Sequence, residues 1–130
     1  MFAKSPTIEC PNQLIELPTH SDSRGALTVF EKHLPFDVKR VYWIYNCDKQ
    51  LRGGHRHHKT IQALIAVSGS VIVHMDNGSD IWDVTLNAPN KCLVVNPEDW
   101  HTLNFGPQGR LLVLASHGYD KNDYIYEPYR

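Results

Sequence analysis

The chain has 130 residues, with 42% hydrophobic and 21% charged residues, and thirteen Lys and Arg against fourteen Asp and Glu give a formal net charge of −1. This length suits one domain and excludes a two-domain enzyme, and the composition is far from that of a disordered chain. The missing basic excess argues against nucleic acid and against an anionic membrane surface as partners, so any anion must be held locally.

Met1 to Cys10 carries Lys4, Pro6 and Glu9 and no apolar run. No secretory leader is expected, and no stretch approaches the ~20 apolar residues of a membrane span, which predicts a soluble, cytoplasmic protein. Cys10, Cys47 and Cys92 are odd in number and widely spaced, as free thiols are and a disulfide framework is not.

Short runs rich in Val, Ile, Leu, Thr, Trp and Tyr, separated by turn residues, predict an all-β sandwich or barrel. In chain order the expected strands are Gln13 to Leu17, Gly25 to Lys32, Lys39 to Asn46, Thr60 to Val67, Ser70 to Asp76, Ser79 to Leu86, Lys91 to Val95, Thr102 to Phe105 and Arg110 to Ser116. Asn77-Gly78 predicts a type I′ hairpin turn, which takes positive φ at both central residues. Ser68-Gly69, Ala88-Pro89-Asn90 and Gly106-Pro107-Gln108-Gly109 mark further turns. The tail, Tyr119 to Tyr129, has room for a short helix at most.

Eight histidines stand out, because imidazole is the side chain whose ordinary pKa (~6.5) lies near neutrality. His55 and His57 alternate with Arg56, and residues two apart in an extended chain share a face. That places two imidazoles side by side, whether in a site or on an exposed polar strand face. His101 follows in the block Pro97-Glu98-Asp99-Trp100-His101, where a surface-loop histidine is the plainer alternative. His20, His33, His58, His74 and His117 have no partner pattern.

The order of a Gly-rich turn, His55-x-His57, Gln62 and Gly69, then Pro97, His101 and Asn104, resembles the two motifs of the cupin superfamily. The resemblance implies an antiparallel jelly-roll barrel, one cupin domain over residues 1–130, with the histidines at a ligand-holding mouth. Cupin metal sites usually take a Glu where Gln62 stands, and a neutral amide is a poor ligand beside carboxylate chemistry. Gln62 lies five residues after His57, which in an unbroken strand turns it to the opposite face. No metal and no cofactor are therefore expected, with an open three-histidine site as the alternative.

Asp22-Ser23-Arg24-Gly25, Lys39-Arg40-Val41-Tyr42-Trp43-Ile44, Arg52-Gly53-Gly54-His55-Arg56-His57, Pro97-Glu98-Asp99-Trp100-His101, and Leu114-Ala115-Ser116 followed by Tyr119-Asp120-Lys121-Asn122-Asp123-Tyr124-Ile125 together resemble a narrower family. This is the bacterial sugar-nucleotide 3,4-ketoisomerases acting on dTDP-4-keto-6-deoxyglucose, metal-independent cupins with Gln at the position of Gln62. The resemblance implies a dTDP-linked keto sugar as substrate, transfer of its ketone from carbon 4 to carbon 3 through an enediolate, and a place in 3-amino-3,6-dideoxyhexose synthesis for surface polysaccharide.

Such a reaction needs a base of pKa near operating pH and a donor for the developing oxyanion. His57 is the expected base and His55 the relay or oxyanion donor, two roles that the sequence leaves exchangeable. Tyr42, on one strand face with Arg40 and Ile44, is the second donor unless it is a core aromatic. Arginine suits a diphosphate: Arg52 beside the Gly-Gly turn is the first candidate, then Arg24, with Arg40 also in the matching blocks and Arg56 facing away. His101, Gln62 and Asn104 complete the expected substrate contacts. Trp100 and the strand of Tyr45 offer stacking surfaces for thymine, while Trp43 and Trp82 are expected in the core. A homodimer is expected, because strand edges need cover and the residues before Asp22 add a strand with no obvious partner. The competing functions are a dTDP-4-keto-sugar 3,5-epimerase, a metal-dependent cupin enzyme and a non-catalytic sugar-nucleotide-binding cupin.

Overall fold

A computed structural model describes residues 12–130, so Cys10 and the expectation of no leader fall outside the described residues. The chain forms β1 (Leu14–Glu16), β2 (Thr19–Asp22), β3 (Gly25–Thr28), β4 (Arg40–Ile44), β5 (Leu51–His57) and β6 (Gln62–Ser68). It continues with β7 (Val71–Asp76), β8 (Ile81–Leu86), β9 (Lys91–Val95), β10 (Trp100–Phe105), β11 (Arg110–Ala115) and β12 (Tyr124–Ile125). Two five-stranded sheets, ordered β1-β9-β6-β11-β4 and β12-β5-β10-β7-β8, lie beside a separate β2-β3 hairpin. The pairings are antiparallel, and the architecture is the jelly roll of the cupin fold. The tail carries a single 3₁₀ turn, Lys121–Asp123. Among the described residues no helix is long and apolar enough to cross a membrane.

Alternation decides which side chains reach the core. In β8, Trp82, Val84 and Leu86 are buried while Ile81, Asp83 and Thr85 are exposed, as a strand solvated on one face requires. Leu64, Val73, Leu93, Leu103, Leu111 and Val113 meet between the sheets, each worth roughly 1.5–3 kcal/mol when fully buried. β6 is buried on both faces. Its outward Ala63 and Ile65 join Leu17, Cys92 and Leu114 in a second cluster, roofed by Phe30, Leu34 and Phe36. That roof ends β3 at Thr28, short of the expected Lys32: residues 29–38 lie across the sheet as an apolar loop. Trp82 is in the core as expected, and Cys47 and Cys92 are buried free thiols.

Three local expectations change. β1 pairs with β9, Leu14 opposite Leu93, so it has a partner within the chain, and the segment that pairs only with itself among the described residues is β2-β3. The β7-β8 connection is not type I′, since Gly78 has φ 94° but Asn77 is absent from the positive-φ positions. Asn77 Oδ1 instead accepts from the Ser79 and Asp80 N–H groups, and Asp76 Oδ1 from that of Gly78, so the side chains close the loop.

The third is β5, where Gly53-Gly54 suggested a turn. Its register against β10 pairs His101 with His55 and Thr102 with Gly53, leaving Gly54 as the extra residue of a β-bulge. Both glycines have positive φ, 85° and 83°, and a Cβ on Gly53 would sit 2.9 Å from the His101 carbonyl oxygen. Such a bulge bends the strand and re-aims the next side chain, and that side chain is His55.

Candidate active site

A cavity of about 640 Å³ opens between the sheets, with Leu64, Leu103 and Val113 of the core beneath it. Each sheet contributes polar groups. From the first come Arg40 and Tyr42 on β4 and Gln62 on β6; from the second come Arg52 and His55 on β5, His101 on β10 and Tyr124 on β12. Gln62 therefore faces the cavity and not away from it, because residues 58–61 end β5 and carry the chain across to β6 in the other sheet, so the five-residue parity does not apply. Its Nε2 donates to the Tyr42 hydroxyl at 2.9 Å. A phenol oxygen that accepts there keeps its own proton for another acceptor. Burial is the main reason that the Tyr42 phenol is pushed above its ordinary pKa, so it stays protonated.

The three imidazoles form a chain of edge contacts, with the His55 ring centroid 5.0 Å from those of His57 and His101. His101 Nδ1 lies 3.0 Å from the Asp99 carbonyl oxygen; since a carbonyl only accepts, Nδ1 carries the proton and Nε2 the lone pair. His57 Nδ1 likewise faces Asp123 Oδ2 at 2.9 Å. Asp123 accepts in addition from the Lys59 N–H at 2.9 Å and from the Thr60 hydroxyl. Burial works to raise the Asp123 pKa, but the hydrogen bonds from Thr60, Lys59 and His57 outweigh it and hold it at about 2. Asp123 is thus a fixed anion at neutral pH.

Burial, then the neighbouring His101 and His57, pushes His55 down to about 3, and burial pushes His101 to about 4. His57 is lowered by burial too, with Asp123 opposing. All three imidazoles are neutral at physiological pH and carry lone pairs. Among the described residues no three His, Cys, Asp or Glu side chains converge to hold a metal ion; Nδ1 is engaged with Asp123 in His57 and with the Asp99 carbonyl in His101, which leaves Nε2 as the lone-pair nitrogen of each ring.

The FdtA family model, described as WxcM-like, C-terminal, matches residues 11–130. The chain belongs to this family. It is 40% identical over 118 residues to a TDP-4-oxo-6-deoxy-alpha-D-glucose-3,4-oxoisomerase of Aneurinibacillus thermoaerophilus, covering 88% of this chain and 85% of the relative. Among solved structures, QdtA, a sugar 3,4-ketoisomerase from Thermoanaerobacterium thermosaccharolyticum in complex with TDP, superposes with a TM-score of 0.86 at 38% identity over 89% of this chain and 88% of that one. A 3,4-ketoisomerase from Helicobacter canadensis gives 0.86 at 33% identity, over 92% of each chain.

Within this FdtA-family fold, several residues named from sequence lie elsewhere. On β10 His101 and Leu103 point inward, so Trp100 and Asn104, one residue out of phase, do not line the cavity. Arg24 sits at the β2-β3 turn, exposed and paired to Asp22 at 2.7 Å, outside the cavity wall of this chain. His57 is 4% exposed and lies behind His55, not on the cavity surface. Trp43, expected in the core, is 63% exposed and stands at the cavity mouth with Tyr45 and Leu51. Arg56 faces away as expected, with its guanidinium 4.3 Å above the Tyr129 ring. Sequence reasoning assigned no role to Asp123, Tyr124 or Tyr126, which the tail brings to the histidines across more than sixty positions.

Proposed function

We propose that this protein is a sugar-nucleotide 3,4-ketoisomerase, which converts dTDP-4-keto-6-deoxyglucose to a dTDP-3-keto-6-deoxyhexose. Membership of the FdtA family and the likeness to 3,4-ketoisomerases favour this over 3,5-epimerisation of the same sugar. The observation that carries the chemistry is the pairing of a neutral, cavity-facing imidazole, His55, with a phenol, Tyr42, whose proton is left free by Gln62. The hydrogen on carbon 3 is α to the carbonyl, so a base removes it to give an enediolate. Reprotonation at carbon 4 then leaves the ketone at carbon 3. There is no net oxidation, and the step needs no redox cofactor.

Geometry comes before pKa in choosing a base. His55 is the imidazole of the pair that reaches the cavity, so it is assigned the proton transfer between the two carbons. His57 takes the supporting place, held by Asp123 and meeting His55 edge on. This exchanges the two roles expected from sequence. Tyr42 donates to the enediolate oxygen without ionising. Arg52 and Arg40 supply positive charge for the diphosphate, Gln62 and His101 line the sugar pocket, and the exposed ring of Trp43 joins Tyr45 as a platform for thymine.

The molecule is assigned as one cupin domain over residues 1–130, acting in the cytoplasm as a homodimer that supplies 3-amino-3,6-dideoxyhexose synthesis for surface polysaccharide. The exposed apolar side chains of Val41 on β4 and Leu27 on the β2-β3 hairpin support the dimer. Incubation with dTDP-4-keto-6-deoxyglucose in deuterated buffer, followed by NMR, tests the reaction. A ketone at carbon 3 with deuterium at carbon 4 is expected, and a product that keeps its ketone at carbon 4 refutes it.

A further inference from the structure

The isomerisation moves two protons. One passes from carbon 3 to carbon 4. The other must leave the hydroxyl oxygen on carbon 3, which becomes the ketone, and arrive at the oxygen on carbon 4, which becomes the hydroxyl. His55 serves the carbons, and Tyr42, its ionisation disfavoured by burial, is a hydrogen-bond donor that keeps its proton. The transfer between the oxygens has no carrier so far.

Tyr124 opens β12, the two-residue strand that the tail adds to the edge of β5, with Tyr124 opposite His57. Its ring lies 4.9 Å from that of His55 and 4.6 Å from that of His57, and it lines the cavity that Tyr42 and His55 also line. The two phenols are close enough for Tyr124 to bear on the ionisation of Tyr42. Arg40 Nη1 donates to the Tyr124 hydroxyl oxygen at 3.4 Å. Guanidinium has no acceptor, so the phenol oxygen accepts and its proton is uncommitted. Arg40 also lies over the Tyr42 ring at 4.3 Å, so one cation borders both phenols.

We infer that Tyr124 is a catalytic residue of the same site, the carrier that moves a proton between the two sugar oxygens. Once His55 has taken the carbon-3 hydrogen and the enediolate stands against Tyr42, Tyr124 gives its proton to the carbon-4 oxygen. The phenolate, beside the Arg40 cation, then takes the proton of the carbon-3 hydroxyl as the carbon–oxygen double bond forms there. The residue ends as it began, with no proton gained or lost. Tyr42 and Tyr124 thus divide the work: one steadies charge, the other transfers.

The inference rests on the ketoisomerase reading, and one experiment separates the two. Wild-type and Tyr124→Phe proteins are incubated with dTDP-4-keto-6-deoxyglucose in deuterated buffer, and both deuterium at carbon 3 of the remaining substrate and the 3-keto product are followed by NMR. TDP binding and the melting temperature report that Tyr124→Phe, which keeps the ring, is folded and competent to bind. Loss of a positioned proton carrier typically costs 10²–10⁴ in rate. The 3-keto product should form about 10²-fold more slowly in Tyr124→Phe, while carbon-3 exchange, which needs only His55 and Tyr42, stays within about tenfold of wild type. Equal loss of both signals, or loss of neither, overturns the assignment of Tyr124 and leaves the reaction standing. A wild-type protein giving neither exchange nor 3-keto product overturns the ketoisomerase reading and this inference together.

Discussion

His57 Nδ1 and Asp123 Oδ2 lie 2.9 Å apart although 66 positions separate them in the chain, and both side chains are 3% exposed. A buried carboxylate that only accepts fixes the protonated nitrogen of the imidazole it faces. It also fastens the tail to the end of β5, because Asp123 is bonded to Lys59 and Thr60 as well. The contact therefore governs His57 and the placing of Tyr124 at once.

Asp123→Asn changes the first effect with little change of shape. The amide oxygen still accepts from the Lys59 N–H, but the amide nitrogen then faces His57 Nδ1 and forces the other tautomer. Asp123→Ala leaves buried donors unpaired, which typically costs about 1–3 kcal/mol. We expect both variants to lose at least tenfold in kcat and only Asp123→Ala to lose stability on the larger scale. Imidazole nitrogen shifts measured by NMR check the tautomer. An unchanged His57 spectrum in Asp123→Asn refutes the coupling.

The two histidines should differ in kind. His55→Asn should lower turnover by about 10²-fold or more, since a positioned base supplies about 10²–10⁴, with TDP binding and melting temperature near wild type. His57→Asn breaks a buried pair and should lower stability more and kcat less. Steady-state kinetics and chemical denaturation on the two variants decide it. The opposite ranking in kcat would return the base to His57.

Much of this arrangement was legible in the sequence, and the exceptions have physical causes. β6 and β8 announced themselves by apolar runs and alternation, and His55-x-His57 by its period of two. β5 was hidden because Gly53-Gly54 signals a turn, whereas here the two glycines absorb a bulge pressed against His101. β2, Thr-His-Ser-Asp, is exposed along its length and has no apolar face to read. Gln62 was set on the wrong face because parity counts hold only within one strand. The contributions of Asp123 and Tyr124 come from the tail closing on β5, a contact between distant segments that no local spacing encodes.

Acid should destabilise the fold well above the usual carboxylate range. His55 and His101 have folded-state values of about 3 and about 4 against an ordinary 6.5, so between those limits the unfolded chain binds more protons than the folded one. Stability then rises with pH through this window and is lost as pH falls through it. Asp123, lowered to about 2 from 3.8, adds a loss of the same sign below about pH 4. Denaturant midpoints measured from pH 7.5 to 4 should fall steadily, and His55→Asn should flatten the slope. A wild-type midpoint that is constant down to pH 4.5 contradicts the burial of neutral imidazoles.

Gln62→Glu tests the free proton of Tyr42 through its pH dependence. As a neutral acid, the introduced carboxyl donates to the Tyr42 oxygen as the amide does, and the phenol proton stays available to substrate. As a carboxylate it can only accept, so it draws the Tyr42 proton to itself and removes the donor from the enediolate. Gln62 is 2% exposed, and burial at that position raises a carboxyl pKa because it disfavours the charged form. The variant should therefore approach wild-type turnover at low pH and fall by about tenfold or more as pH rises through the raised pKa of the new carboxyl, a limb that the wild type lacks. Parallel profiles of kcat against pH for the two proteins would show that Tyr42 does not depend on Gln62 for its proton, and the assignment of Tyr42 as donor would fall with it.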